Sequence, residues 1–321
     1  MIGYSVLTFK FPENREKYLG FGEAAAGTGL MLGPVIGSIL YNLFDYFWAF
    51  MSFAVFLAFG GLLCWKYIPD SLNARLDVQT DYEKVISERR SKEITYKMFF
   101  MNRRSVFGLL TCTFVCVIFQ FPSSFLVTML EKEKHVPIKY NGLIISLTSF
   151  FYVITTGICG FVIDKFPKRI FILISFVFST FALFLMGPSE VLGLPNDLWI
   201  FLVGYGGLGA ALGFIFIPIL PEVIDSIYLN YDIKEGRDEI TDGIISDKSA
   251  GLYGSFYSIG MIIAPLLGSL IQNIYKSFNK TCDVFAFACL GYTIIYMVFN
   301  VLWDIRKDKN EQNKLYEEIK E

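Results

Sequence analysis

Charged residues are scarce in this sequence, and histidine is almost absent. Only 18% of the 321 residues are charged, the formal net charge is -2, and His135 is the single histidine. A nucleic-acid-binding protein needs a basic surface that neutralises phosphates, so that class is excluded. His135 has no second metal ligand or nucleophile near it in the sequence, which argues against metal-based or histidine-based catalysis. The sequence therefore predicts neither an enzyme nor a bound cofactor or metal.

The cysteines and one glycine cluster also lack the context that their motifs would need. The six cysteines lie far apart, without the short paired spacings of a zinc site or of a disulfide framework. Residues 204–209 (GYGGLG) satisfy the dinucleotide fingerprint G-x-G-x-x-G, but they lie inside an apolar run and do not follow a strand. We expect these glycines, together with Gly213, to form a close-packing helix face.

Long apolar runs, in contrast, are abundant. Hydrophobic residues make up 54% of the chain, and the mean hydropathy is +0.50. A bilayer core of about 30 Å requires about 20 apolar residues in a helix. Runs of about this length cover 20–41, 44–65, 105–130, 140–163, 170–187, 198–220, 251–274 and 284–303. The sequence thus predicts an all-α polytopic membrane protein with eight spans, and residues 1–9 look like the last turns of another helix.

The basic residues are distributed unevenly between the two sides of the predicted spans. Alternate connections on one side, including both chain ends, hold 23 of the 28 lysines and arginines. Because positively charged loops stay cytoplasmic, this distribution predicts that both termini are cytoplasmic. The eight predicted spans make the lipid bilayer a predicted partner. The sequence leaves open whether this membrane is vesicular or the plasma membrane.

An internal repeat links the first and seventh predicted spans. The two segments align without gaps, and the alignment pairs Gly20 with Gly251, Gly29 with Gly260, Pro34 with Pro265, Gly37 with Gly268 and Ser38 with Ser269. Secondary transporters are often built from duplicated halves. With six helices in each half, the first span would be helix five of twelve and the seventh span helix eleven. The chain would then lack helices one to three and most of helix four.

Two motifs resemble the major facilitator superfamily. The run Gly29, Gly33, Pro34 and Gly37 is similar to the fifth-helix signature of its drug and vesicular amine antiporter branch. The segment 160–169, with Gly160, Asp164, Lys165, Lys168 and Arg169, is similar to the family's cytoplasmic loop motif, although Pro167 stands where that pattern has glycine. The resemblance implies a major facilitator-type helical bundle that lacks roughly the first four of twelve helices.

The same resemblance implies a domain organisation. Residues 1–68 would be the remnant of an N-terminal bundle, and the charged stretch 69–104 a cytoplasmic central loop. Residues 105–303 would form a C-terminal six-helix bundle, and 304–321 a cytoplasmic tail.

Each motif has two interpretations. The glycines at 29, 33 and 37, with Pro34, Pro265 and Gly268, could serve a sliding contact between halves or ordinary close packing of membrane helices. The charges from Asp164 to Arg169 could latch one conformation or simply mark a cytoplasmic loop.

Few polar residues are candidates for lining a cavity or for coupling transport to an ion. Glu23 could handle a proton or cation, or complement the positive start of its helix. Gln120, Tyr152 and Tyr257 are the polar and aromatic candidates within spans. Glu222 and Asp225 follow two prolines near the end of the sixth span, where we expect solvated helix-end charges.

These observations predict transport of a small organic solute by alternating access. An organic cation or amine is one candidate substrate, and the antiporter resemblance implies coupling to protons. A non-transporting membrane scaffold, or a degenerate transporter fragment, is the alternative. The predicted partners are the bilayer, a small-molecule substrate and protons, and not nucleic acid.

Overall fold

The protein folds as a bundle of long α-helices. The computed structural model describes residues 3–4, 7, 11, 15–67, 89–90, 92–163, 166–236 and 238–302, and these residues contain no β-strand. Helices α1 to α9 span Arg15–Tyr67, Tyr96–Met101, Arg103–Gln120, Leu126–Lys132, Asn141–Val162, Lys168–Met186, Leu198–Asn230, Glu239–Tyr275 and Phe278–Tyr296. Short 3₁₀ turns at Phe121–Ser124 and Ile138–Tyr140 precede α4 and α5, and a π-helical turn at Met297–Leu302 continues α9.

The described helices contain eight segments that are long and apolar enough to cross a membrane. Two of them lie in α1, Glu16–Tyr41 and Leu43–Tyr67, and the helix is kinked near the start of the second at Asp45, whose φ is 66°. The prediction of eight spans and an all-α membrane fold is therefore confirmed. Two helices are longer than predicted, since α7 continues to Asn230 and α8 begins at Glu239. Hydropathy marks only the apolar part of a helix, so it misses polar turns that project beyond the bilayer.

Helix α7 lies at the centre of the described bundle. It packs against α3, α5 and α6, and most of its side chains are buried. Helix α9 packs on α6, and α8 packs on α3. The first span of α1 packs on α5. The second span is different, because its large side chains remain exposed, as Leu57 at 82% and Trp65 at 85% show. Such a surface suits contact with lipid or with another membrane helix.

Glycines let α7 approach its neighbours closely. A Cβ atom at Gly204 would collide with the backbone of Met186 in α6, and one at Gly209 would collide with the carbonyl of Thr148 in α5. A Cβ atom at Gly213 would collide with the hydroxyl of Thr155. Membrane helices use small residues in this way to bring their backbones together. The glycine cluster is thus a packing face, as predicted from the sequence, and not a nucleotide-binding turn.

The end of the central loop, at Ile94, is hydrogen-bonded to α8. Ile94 is 5% exposed, and the Lys248 ammonium of α8 donates a hydrogen bond of 2.5 Å to its carbonyl. Asp238 caps α8, because its carboxylate accepts from the Thr241 hydroxyl at 2.6 Å and from the Ile240 amide at 3.2 Å. These hydrogen bonds hold the pKa of Asp238 below its usual value. The connection therefore ends in an ordered contact with the bundle.

The substitution Gly209→Ala should destabilise the bundle by about 1 to 3 kcal/mol, because the new methyl group must displace the α5 backbone. The matched control is Gly207→Ala on the same helix, where the nearest atom to a new Cβ is the Ala182 methyl at 3.7 Å. Thermal unfolding of the purified chain in detergent measures both. Equal melting temperatures for the two variants would contradict the packing assignment.

Candidate functional site

A cavity of about 400 Å³ lies between α1, α3, α5, α7 and α8. Most of its walls are aromatic or small apolar residues, and Glu23 is its one charged lining residue among those described. Its charged and aromatic lining residues are Tyr4, Glu23, Phe119, Tyr152, Phe216, Tyr253 and Tyr257. A largely apolar cavity with a few convergent polar groups is the usual form of a small-molecule site.

The carboxylate of Glu23 is held by two tyrosine hydroxyls. Tyr4 donates to one carboxylate oxygen and Tyr152 donates to the other, each at 2.5 Å. Because α1 begins at Arg15, Glu23 lies about two turns inside the helix. It is therefore too far from the helix start to act as a cap. The structure thus places Glu23 in the cavity lining and not at the helix start.

Close contact between α1 and α5 brings Glu23 to Tyr152. A Cβ atom at Gly27 would lie 2.8 Å from the Tyr152 ring, and one at Gly20 would lie 3.2 Å from the Cα atom of Gly160. In return, a Cβ atom at Gly160 would lie 3.2 Å from the Glu16 carbonyl oxygen. Any larger residue at these positions would push the helices apart. The hydrogen bond between Tyr152 and Glu23 depends on this approach.

Aromatic rings surround the carboxylate. Tyr4 meets Tyr253 edge to face at 6.2 Å between ring centroids, and Tyr152 meets Phe216 in the same way at 6.0 Å. Tyr253 and Tyr257 lie 6.4 Å apart on α8. Ring faces attract cations by about 0.5 to 2 kcal/mol each. One carboxylate inside such a ring cluster suits an organic ammonium group.

The cavity includes three of the four candidates from the sequence. Glu23, Tyr152 and Tyr257 line it, whereas Gln120 is not among its lining residues. Sequence reasoning missed Phe119 and Phe216, because nothing distinguishes these phenylalanines from the many that only pack.

A second cluster, of charged residues, lies at the end of the bundle where α1 and α6 begin. The Lys168 ammonium contacts the carboxylates of Glu16 in α1 and Asp225 in α7, each at 2.6 Å. Lys168 and Glu16 are largely buried, with side chains 18% and 8% exposed. One lysine therefore joins α1 to α7 across the start of α6.

Glu222 extends this cluster. Its carboxylate accepts from the Arg104 guanidinium at 2.7 and 3.0 Å, and Arg169 lies 3.7 Å from it. The expectation that Glu222 is a solvated helix-end charge is wrong, because its side chain is only 3% exposed. The reason is that α7 continues past both prolines, so this turn stays inside the bundle. We call Glu16, Arg104, Lys168, Arg169, Glu222 and Asp225 the charge network.

The predicted latch motif is only partly described. Lys168 and Arg169 belong to the charge network, and Arg169 also donates to the Asn300 carbonyl at 3.0 Å. Gly160 lies against the backbone of Glu16 and Lys17 in α1. Asp164 and Lys165 lie outside the described residues.

Buried leucines separate the cavity from the charge network. Leu19 of α1 and Leu220 of α7, each 3% exposed, line a small void that also touches Glu23 and Tyr253. Leu220 lies two residues before Glu222 in α7, so this apolar layer is next to the charges along the helix.

The two copies of the glycine motif have different surroundings. In α8, a Cβ atom at Gly268 would collide with the Phe121 carbonyl, and one at Gly260 would lie 2.6 Å from Cys116, so this face packs on α3. Pro265 lies inside the same helix. In α1, Gly29 and Gly33 have no described atom within 4 Å of a Cβ position, and a Cβ atom at Gly37 would lie 3.8 Å from the Phe53 ring. The contact of this segment with α5 is made by Pro34 instead, whose carbonyl oxygen lies 2.7 Å from the Cβ position of Gly142.

Comparison with known proteins identifies the family. Residues 1–228 match the model of the Major Facilitator Superfamily, so the chain belongs to this superfamily. The chain is 26% identical over 269 residues to the MFS-type transporter SLC18B1 of Rattus norvegicus and 25% identical over 275 residues to that of Homo sapiens, covering 83% of this chain each time. It is 25% identical over 310 residues, 93% of its length, to the multi-drug resistance efflux pump PmrA homolog of Lactococcus lactis.

The match covers these relatives incompletely. The aligned region is 54% of both SLC18B1 proteins and 65% of the PmrA homolog. The chain thus spans about half the length of the SLC18B1 proteins that it matches. The resemblance seen in the sequence is confirmed at the level of the superfamily. These relatives are named as transport proteins, which agrees with the prediction that the chain is not an enzyme.

Removing the charge of Glu222 should destabilise the bundle strongly. In Glu222→Gln, Arg104 would keep its charge in a mostly buried site without an anionic partner, which costs about 3 to 5 kcal/mol. The control is Glu93→Gln, which removes an exposed ion pair with Arg90 and should cost about 1 kcal/mol or less. Melting temperatures in detergent compare the two. A Glu222→Gln variant as stable as Glu93→Gln would show that the buried pair contributes little.

Proposed function

We propose that this member of the major facilitator superfamily takes part in moving a small organic cation across a membrane by alternating access, in exchange for protons. The observation that carries the proposal is the Glu23 carboxylate, held by two tyrosines inside an aromatic cavity that reaches five helices. The names of the relatives, a transporter and an efflux pump, agree with it. We further propose that both termini are cytoplasmic, in line with the distribution of basic residues.

Glu23 would couple the organic cation to the proton, because the two compete for its carboxylate. An ionised carboxylate attracts an ammonium group, and the surrounding rings add cation–π attraction. A proton on Glu23 removes that charge, so cation and proton cannot occupy the site together with full affinity. Binding of one therefore favours release of the other, which is the requirement for exchange.

The charge network would close the cytoplasmic end in this conformation. Lys168 joins Glu16, in the helix predicted to belong to the first half, to Asp225, in the second half. The Leu19 and Leu220 side chains form an apolar layer beneath this link. Opening toward the cytosol requires these ion pairs and this layer to separate, while α1 and α5 move apart along their glycine contact.

The substitution Glu23→Gln should abolish proton-driven uptake of an organic cation, because the neutral amide holds neither the proton nor the ammonium charge. The assay reconstitutes the full chain in liposomes, imposes a pH gradient and follows ethidium as the probe. Glu23→Asp should retain part of the activity, since it keeps the charge. The control Glu93→Gln, in the exposed connection, should transport as the unmodified chain does.

Two results would count against this proposal. Equal ethidium uptake by Glu23→Gln and the unmodified chain would remove Glu23 from the mechanism. A complete absence of uptake in the unmodified chain, under a verified pH gradient, would favour the alternative of a non-transporting membrane scaffold.

The substitution Lys168→Gln should open the cytoplasmic end, because it removes the cation shared by Glu16 and Asp225. We expect the introduced thiol of Leu220→Cys, in a chain without its six native cysteines, to react severalfold faster with a membrane-impermeant maleimide. The control is Lys280→Gln, which removes an exposed pair with Glu190 at the other end of the bundle. Unchanged labelling of Lys168→Gln would mean that Lys168 does not hold this end closed.

A further inference from the structure

The face that α1 turns to the cavity is charged at one end only. Four residues of this helix line the cavity, Glu23, Ala26, Gly27 and Leu30. Their spacing of three, four and seven residues places them on one side of the helix. Leu30 lies about 10 Å along the helix axis from Glu23, at a rise of about 1.5 Å per residue. This face therefore begins with a carboxylate and ends with an apolar side chain.

The end of the cavity beside Glu23 is closed by buried leucines. Leu19 and Leu220, each 3% exposed, line the small void that touches Glu23, and the charge network lies beyond them. Leu19 is about one turn before Glu23 on α1. A cation held by Glu23 must therefore direct the rest of its molecule the other way, toward Leu30.

Phe119 lies at the same end of the cavity as Leu30. Helices α1 and α3 both begin in the charge network, with Glu16 and Arg104. Leu30 follows Glu16 by 14 residues and Phe119 follows Arg104 by 15, so each lies about 21 to 23 Å further along its helix. The Phe119 ring is 6.3 Å from the Tyr152 ring between centroids. The far end of the cavity is thus built from aliphatic and aromatic side chains.

The lining residues that the structure describes include no second anion to meet a second positive charge. The rings of Phe216 and Tyr257 lie 6.1 Å apart in this region, and the Tyr152 hydroxyl already donates to Glu23. A second ammonium group would therefore leave water and meet only ring faces and neutral hydroxyls. Attraction by a ring face is weaker than the hydration that a buried ammonium group loses. An uncharged body of the same size loses no such hydration and gains from leaving water.

We propose that the cavity selects organic cations that carry a single charge, and that it rejects diamines of the same size. The ammonium group would pair with Glu23, and an uncharged aromatic or aliphatic body would lie against Leu30 and Phe119. These two side chains are then specificity-determining, because they present apolar surface where a second charge would lie. The inference rests on the proposed function, since it takes Glu23 as the cation site. It adds that the number of charges, and not size alone, separates substrates from other amines.

Isothermal titration calorimetry of the full chain in nanodiscs of zwitterionic lipid tests this selectivity without a transport assay. The ligands are 4-ethylbenzylamine and 4-(aminomethyl)benzylamine, which have equal numbers of non-hydrogen atoms and differ by a terminal methyl against a terminal ammonium group. The monoamine should bind at least about tenfold more tightly, because only the diamine buries an unpaired charge. Empty nanodiscs give the heat of partition into lipid, which is subtracted.

The substitution Leu30→Glu supplies a carboxylate at the far end, about two helical turns from Glu23. It should tighten binding of the diamine and lower the ratio of the two affinities by about tenfold or more. Leu30→Gln has a similar shape without the charge, so this matched control should keep the preference for the monoamine. Leu30 is 49% exposed, so neither substitution disturbs the buried core.

The possible results separate this inference from the proposed function. Equal affinities of the two amines for the unmodified chain, or tighter binding of the diamine, would overturn the selectivity and leave Glu23 as the cation site. An unchanged affinity ratio in Leu30→Glu would show that Leu30 does not determine specificity. If neither amine binds, or if Glu23→Gln binds the monoamine as tightly as the unmodified chain, Glu23 is not the cation site and both proposals are wrong.

Discussion

The contact between the first span of α1 and α5 is the interaction on which the cavity depends. Small residues at 20, 27 and 160 let the two backbones approach, and this brings the Tyr152 hydroxyl to the Glu23 carboxylate. In lipid, no hydrophobic force drives two apolar helices together, so the approach rests on close packing and on polar contacts. The carboxylate and its tyrosines provide such a polar contact. Packing and the candidate binding site are therefore supported by the same residues.

The charge network obeys a related constraint. A charged side chain near the end of a membrane helix is costly unless it is paired or reaches water. The charge network meets this condition with three basic and three acidic side chains from α1, α3, α6 and α7. Each partner depends on the others, so separating one ion pair would weaken the rest. Under the proposed mechanism, this is the contact that separates when the cytoplasmic end opens.

The internal repeat places one motif in two environments. In α8, Gly260 and Gly268 pack on α3. Of the matching residues in α1, Gly29 has no described atom within 4 Å of its Cβ position, and the Cβ position of Gly37 meets only the Phe53 ring of the same helix, at 3.8 Å. The contacts that α1 does make use another face, with Gly20, Gly27 and Pro34 toward α5. Equivalent sequence therefore does not imply equivalent contacts, because the helix that covers a small-residue face is set by the rest of the fold. The division into domains and the role of the motif remain predictions.

The sequence by itself determined the class of protein, the eight spans and the superfamily, because apolar run length and motif spacing are local properties that the bilayer imposes. It also identified Glu23, Tyr152 and Tyr257 as candidates, since polar and ionisable groups are rare in such helices. Only the tertiary structure decided that Glu23 meets Tyr4 and Tyr152, that Glu222 is buried beside Arg104, and that Gln120 lies outside the cavity lining. These facts depend on which helices touch and how far each extends. Residues more than a hundred positions apart, such as Tyr152 and Glu23 or Arg104 and Glu222, leave no local signal of their contact.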